Sequence, residues 1–487
     1  MKKIYIVLLA FPCFLFAQNS QTDSLDAFIT KEVAGYNIPG LAIGIIKNNR
    51  IIFKKGYGIN STIDKMPITT QTVFPIMSCT KAFTAAAIGI LVDQGKVHWN
   101  DKVIQYLPDF KLSDAWITKH LTIADILSHR SGLEGFEGDL LWYGTDYSRQ
   151  EIVRRIQYST LRNNFRSDFG YQNVMYIVAG LIIEKVSRQT WDDFIQQHFF
   201  RPLSMKSSST HVSRMIQSNN YAHPHLKNIP IPIINMDNVA PAGGINSNID
   251  DMLQWMQVWI NKGIYNGREV FSNNTYKAIT SAKVMLSNSS DDAYGFGWYI
   301  GYEDGRKILS HGGGMPGYKS LITILPDDSI GIVMLTNKIT YLNEELADVV
   351  IKYLQTNEMN WKEIDANMYG KNFHFSWEDD VADTTHKHSV IPNLSIYKGE
   401  YEDKKYGKAV INEENGKAIL SLLPSKTQFT GTLYYVNKDT LRVLFNDRFV
   451  PAGEVIFNTN KNGKAVGFKL DISSSDFLFK YLDFKKE

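Results

Sequence analysis

Ser78-Cys79-Thr80-Lys81, with Phe74-Pro75 before it and an Ala-rich run after it, is the stretch on which the reading of this chain turns. From about Ser78 to Gln94 apolar residues recur at helical spacing, and Gly95 suits the left-handed end of a helix. Residues three apart on a helix share a face, which sets the Lys81 amine beside the Ser78 hydroxyl. At a helix start, free N–H groups and the positive dipole end favour negative charge developing on Ser78. A desolvated lysine binds its proton less tightly and can take one from the serine. Alone the pattern is weak. Ser395-Ile396-Tyr397-Lys398 repeats it in a region of strand texture, where it would carry no chemistry.

Two other elements stand downstream. Tyr171-Gln172-Asn173 precedes an apolar helical run, Val174 to Val186. A phenol near an ammonium ionises more easily, so Tyr171 is a candidate general base, and Asn173 offers a donor and an acceptor to a substrate amide. The pattern recurs at Tyr341-Leu342-Asn343 and Tyr435-Val436-Asn437; only the copy at Tyr171 stands in the helical block, where a loop can face a cleft. His311-Gly312-Gly313-Gly314 closes a strand-like run. Three glycines in a strand are costly, and two reasons compete: a bulge or turn, or close approach of a substrate backbone to a main-chain N–H.

Around these motifs the chain divides. Leu41 to Ile46 and Ile51 to Phe53, split by Lys47-Asn48-Asn49-Arg50, predict a hairpin. Residues 100 to 290 read mostly as helix and loop, with another helix at Met252 to Ile260. Strand texture returns in Gly295 to Ile300, Lys307 to His311, Ser320 to Leu325 and Ile330 to Leu335, with a turn at Asp327-Asp328 and a closing helix at Val349 to Leu354. The fold class is therefore α/β (α+β): early and late strands join in one antiparallel sheet, flanked by helices and set beside a helical subdomain. Residues 357–393 read as a polar linker, and 394–487 as a small all-β barrel or sandwich. The core unit is expected over 18–356.

Residues 1–17 form a separate object: Lys2 and Lys3, then an apolar run from Ile4 to Phe16, then Ala17 before polar sequence. This predicts a cleaved signal peptide and an exported, periplasmic or secreted protein, because the run is shorter than the roughly 20 residues of a spanning helix. No later stretch is apolar enough to span a membrane. With 52 basic and 50 acidic residues, scattered and netting +2, nothing points to nucleic acid. Removal of Cys13 with the signal leaves Cys79 alone, so stability rests on a packed core.

The order Ser-x-x-Lys, Tyr-x-Asn, then a glycine-rich strand headed by a basic residue is far more specific than its parts. Over residues 25 to 355 the chain resembles the family uniting class C β-lactamases, serine D-alanyl-D-alanine carboxypeptidases, D-aminopeptidases and related esterases. Leu127-Ser128-His129-Arg130-Ser131-Gly132-Leu133 and Pro241-Ala242-Gly243-Gly244 support it. The resemblance implies an acyl-enzyme on Ser78, proton transfer by Lys81 and Tyr171, an amide-binding Asn173, and an oxyanion hole from the N–H groups of Ser78 and Gly314. His311-Gly312-Gly313 stands where the β-lactamases carry Lys-Thr-Gly. Gly312 has no hydroxyl for a substrate carboxylate and His311 is at best a pH-dependent cation, which favours peptide, amide or ester substrates over β-lactams. No metal or organic cofactor is implied, and the expected partner is a small-molecule or peptide substrate.

Two enzymatic rivals are weak. The chain lacks the Gly-x-Ser-x-Gly elbow of an α/β-hydrolase. His223-Pro224-His225 and His386-Lys387-His388 lack partners at metal-site spacing. A slow-deacylating, penicillin-recognising sensor or a non-catalytic binding protein is the alternative from another class. Trp142 and Tyr143 are further candidates for the pocket, although packing explains them equally well.

Overall fold

The computed structural model describes residues 14–287, 291–356 and 391–487. The expected leader thus lies outside the described residues except for Phe14 to Ala17, which open helix α1 (Phe14–Gly35). The expected linker lies outside them up to residue 390, and His386 and His388 with it.

The early hairpin forms as β1 (Gly40–Lys47) and β2 (Arg50–Gly58). It joins β3 (Val284–Met285), β4 (Ala293–Tyr294), β5 (Tyr299–Glu303), β6 (Arg306–Met315), β7 (Tyr318–Leu325) and β8 (Ile330–Thr336). The result is one eight-stranded sheet, ordered β2-β1-β8-β7-β6-β5-β4-β3. Pairing is antiparallel, with Leu41 opposite Thr336 and Lys47 opposite Ile330. The first and last strands of the unit therefore pair with each other, one strand in from the β2 edge.

Strand alternation splits the sheet between two cores. Leu41, Ile43, Ile45, Ile332 and Met334 face α1 and α5 (Leu342–Thr356), whereas Ala42, Ile46, Val333 and Leu335 face the helical block. With both faces covered, the central strands read as continuous apolar runs. α4 (Ile249–Ile260) lies against the second face. Its approach needs small residues: a Cβ on Gly44 would meet Ile249 at 2.8 Å, and one on Gly331 would meet Met256 at 2.5 Å. α2 (Lys81–Asp93) is buried almost all round, as its Ala-rich sequence allows, and packs on α3 (Asn173–Ser187).

The all-β segment is a barrel. β9 (Gly399–Asp403), β10 (Gly407–Glu414), β11 (Lys417–Leu422), β12 (Thr430–Asn437), β13 (Thr440–Phe445), β14 (Gly453–Thr459), β15 (Ala465–Asp471) and β16 (Asp483–Lys486) close when Tyr401 pairs with Lys486. Buried Tyr401, Phe429, Phe457, Phe468 and Phe484 fill it. Ser395 to Lys398 departs from its expected strand texture: Leu394–Ile396 is a 3-10 turn, because the Asn393 side chain accepts from the Ser395 N–H. The closing helix starts at Leu342, well before Val349, since Leu342 and Leu346 extend its buried stripe.

The barrel docks on the helical block through polar groups. Lys405 Nζ lies 2.5 Å from Glu137 Oε1, and Tyr143 Oη donates to Asp447 at 2.7 Å.

Candidate active site

Ser78 lies in a 3-10 turn, Met77–Thr80, that feeds α2; the α-helix proper begins at Lys81. The offset has a local cause. Buried Met77 is left-handed (φ 47°), a conformation costly for a side-chain-bearing residue, so the backbone is bent immediately before Ser78. Ser320 Oγ donates to the Ile76 carbonyl at 2.7 Å, and Cys79 Sγ to the His311 carbonyl at 3.1 Å, pinning the turn to β7 and β6. Burial pushes the Cys79 thiol up to about 12, so it is an inert fastener.

Lys81 is wholly buried. Its Nζ donates to Ser78 Oγ at 3.1 Å, to Asn173 Oδ1 at 2.7 Å and to the Ala242 carbonyl at 3.0 Å. Desolvation lowers its pKa to about 7 against the opposing pull of Asp139. Near neutrality the amine is thus partly unprotonated and in contact with the serine hydroxyl.

Tyr171 is placed beside Ser78, whose hydroxyl favours the phenolate, but it does not have the ionisation expected of it. Burial, and Tyr299 beside it, hold its pKa well above the usual phenol range. The Lys81 ammonium sits over the ring, 4.6 Å from its centroid, where it is attracted to the π face. At rest Tyr171 is a proton donor, and Lys81 is the group poised to accept.

Asn173 is engaged at both ends: Oδ1 accepts from Lys81, and Nδ2 donates to Asp139 Oδ2 at 2.7 Å. One hydrogen and one lone pair are left for a substrate amide.

His311 is buried, and its pKa falls to about 3 through desolvation and the nearby Lys81. Its ring lies 3.0 Å from Tyr294 Oη through Nε2 and 2.7 Å from the Gly312 carbonyl through Nδ1. The pH-dependent cation read from sequence is therefore corrected to a neutral imidazole with both nitrogens occupied, because Tyr294 and Tyr299 bury it. Gly313 also departs from its reading: a Cβ there would fall 2.7 Å from the Ile76 carbonyl and 2.9 Å from Met77 Cβ. The close approach it permits is by the Ser78 turn itself. Gly314 is exposed, and a side chain there would meet nothing within 4 Å.

Three residues were missed. Asp139 is buried behind Asn173, with its pKa raised to about 7 by burial. Its one sequence signal is an acid wedged between Gly138 and the apolar Leu140-Leu141-Trp142. His129 (φ 59°) accepts from the Gln172 N–H at 3.0 Å and lies 4.4 Å from the Tyr171 ring. Phe136 (φ 61°) donates its N–H to the Tyr171 carbonyl at 2.7 Å. Trp142 and Tyr143 are buried, Tyr143 facing the barrel.

The comparisons agree with this architecture. A family model described as Beta-lactamase matches residues 25–352, and a domain of unknown function, DUF3471, matches 381–486. An unguisins hydrolase of Aspergillus campestris is 31% identical over 339 residues, covering 65% of this chain and 61% of that protein. Protein flp of Staphylococcus aureus strain MW2 is 25% identical over 349 residues, covering 71% and 68%. In fold, the octameric penicillin-binding protein homologue from Pyrococcus abyssi superposes with a TM-score of 0.62 at 20% identity, covering 96% of this chain and all of that one. The chain belongs to the β-lactamase family of serine hydrolases.

Proposed function

We propose that this β-lactamase-family chain is an exported serine hydrolase that forms an acyl-enzyme on Ser78 and cleaves peptide, amide or ester bonds in substrates with no free carboxylate near the scissile bond. The observation that carries the reading is the buried Lys81 amine, pKa about 7, in contact with Ser78 Oγ at 3.1 Å.

The chemistry follows from those positions. Neutral Lys81 takes the Ser78 proton as Oγ bonds to the substrate carbonyl carbon. The carbonyl oxygen becomes an oxyanion, stabilised by the N–H groups of Ser78 and Gly314. Collapse breaks the bond to the leaving group, which takes a proton from Tyr171, and the Lys81 ammonium restores the phenol. Water then attacks the acyl-enzyme carbonyl, its proton passing to Lys81. As the acyl–Oγ bond breaks, Lys81 hands that proton to Ser78 Oγ, which restores the resting enzyme and releases the acid product.

Substrate class is argued from His311. A neutral ring with both nitrogens engaged offers no cation to a carboxylate, and Gly312 offers no hydroxyl. The unguisins hydrolase relative, named for hydrolysis, is in keeping with a hydrolytic reaction here. Export rests on Lys2-Lys3 and the apolar run to Phe16.

Steady-state turnover of p-nitrophenyl acetate by the mature protein and its Ser78→Ala variant tests the nucleophile. Loss of turnover in the variant is expected; equal rates would refute the assignment. A single burst that stops would instead favour the slow-deacylating sensor.

A further inference from the structure

We infer that Asp139 is a positioning residue, acting through the Asn173 amide to aim Lys81 at Ser78 and to set the charge it carries. The inference rests on the reading of Lys81 and Ser78 as the reacting pair.

The geometry is a relay with one bridge. Asn173 presents its oxygen to Lys81 Nζ at 2.7 Å and its nitrogen to Asp139 Oδ2 at 2.7 Å. The bridge has a polarity. An amide whose nitrogen donates to a carboxylate is held with its oxygen toward the amine, so Asp139 fixes the flip of Asn173, and Asn173 fixes the third contact of Lys81. Asp139 is itself held rigidly. It opens the 3-10 turn Asp139–Leu141 behind Gly138, whose φ of 91° and tight packing on Ile156 and Val174 (2.8 and 3.0 Å to a Cβ) admit no side chain.

The electrostatics converge on the same residue. The described titratable groups facing Lys81 are Cys79, Tyr171, Tyr176, His129, His311 and Asp139. Burial keeps the thiol and the phenols protonated, and keeps both imidazoles neutral. Asp139 titrates in the same region as Lys81, and in its ionised form it supplies the negative charge that opposes desolvation of the ammonium. Asp476 of the barrel segment acts on Asp139 in turn, disfavouring its ionised form.

Asp139→Asn is the test, since it keeps an acceptor for Asn173 while deleting the charge. The pH profile of kcat/KM for p-nitrophenyl acetate is measured for the parent, Asp139→Asn and Ser78→Ala. With the charge removed, the ammonium loses its counter-charge, so the acid limb should move to lower pH by about one unit, the low end for one opposite charge nearby. A variant of lower rate with an unmoved limb, or a limb moved upward, overturns the inference and leaves Ser78 and Lys81 untouched. Activity surviving in Ser78→Ala would instead remove the reading beneath it. Asp139→Glu keeps the charge and should keep the parent limb; a shift like that of the Asn variant would also overturn the inference.

Discussion

Gly313 stands against Ile76 so closely that a Cβ on it would come within 2.7 Å of the Ile76 carbonyl oxygen. Strand β6 and the turn that carries Ser78 are thus in close contact, and the left-handed Met77 between them is wedged in place.

Gly313→Ala should therefore push the Ser78 turn off β6. Overpacking at such a contact costs about 1–3 kcal/mol, visible as a lower thermal midpoint. Displacing the serine by about 1 Å should lower kcat by roughly 100-fold, and a smaller shift by less. Gly314→Ala, with open space above it, should leave the midpoint unchanged.

Activity should fall with acid through Lys81. Below its pKa of about 7 the amine carries a proton and cannot accept another, so kcat/KM should drop roughly tenfold per pH unit there. A profile in p-nitrophenyl acetate with its acid limb near pH 7, lost with all activity in Lys81→Met, is the expected outcome.

His311 should matter to stability in acid rather than to the rate limb. Its pKa falls from 6.5 unfolded to about 3 folded, so between those values the unfolded chain binds the extra proton. Stability therefore declines as pH drops from about 6.5 toward 3, by a few kcal/mol at most. Denaturant melts at pH 7 and pH 4 should differ less in His311→Asn than in the parent.

The barrel contact is testable through Lys405. Glu137 is fully buried, so Lys405→Met leaves its carboxylate without the ammonium, which should cost about 3–5 kcal/mol. The double variant Lys405→Met with Glu137→Gln should recover much of that loss. Double-mutant-cycle denaturation measures it, and additive losses would contradict the pairing.

What the sequence determined by itself is local or periodic. Helical spacing from Ser78 onward placed Lys81 on the serine's face, since three residues along a helix fix that proximity whatever the surroundings. Alternating or continuous apolar runs gave the hairpin, the late strands and the all-β tail, and the order of three motifs gave the family. Tertiary structure decided what depends on burial and distant partners. The neutral His311 needs Tyr294 and Tyr299 around it, the protonated Tyr171 needs its burial with Tyr299 beside it, and the role of Asp139 needs Asn173, 34 residues away, turned toward it. Closure of the tail into a barrel likewise awaited the pairing of Tyr401 with Lys486. Spacing along the chain encodes which side chains share a face. Protonation is set by desolvation and by charges brought together from separate segments, and those exist only once the chain is folded.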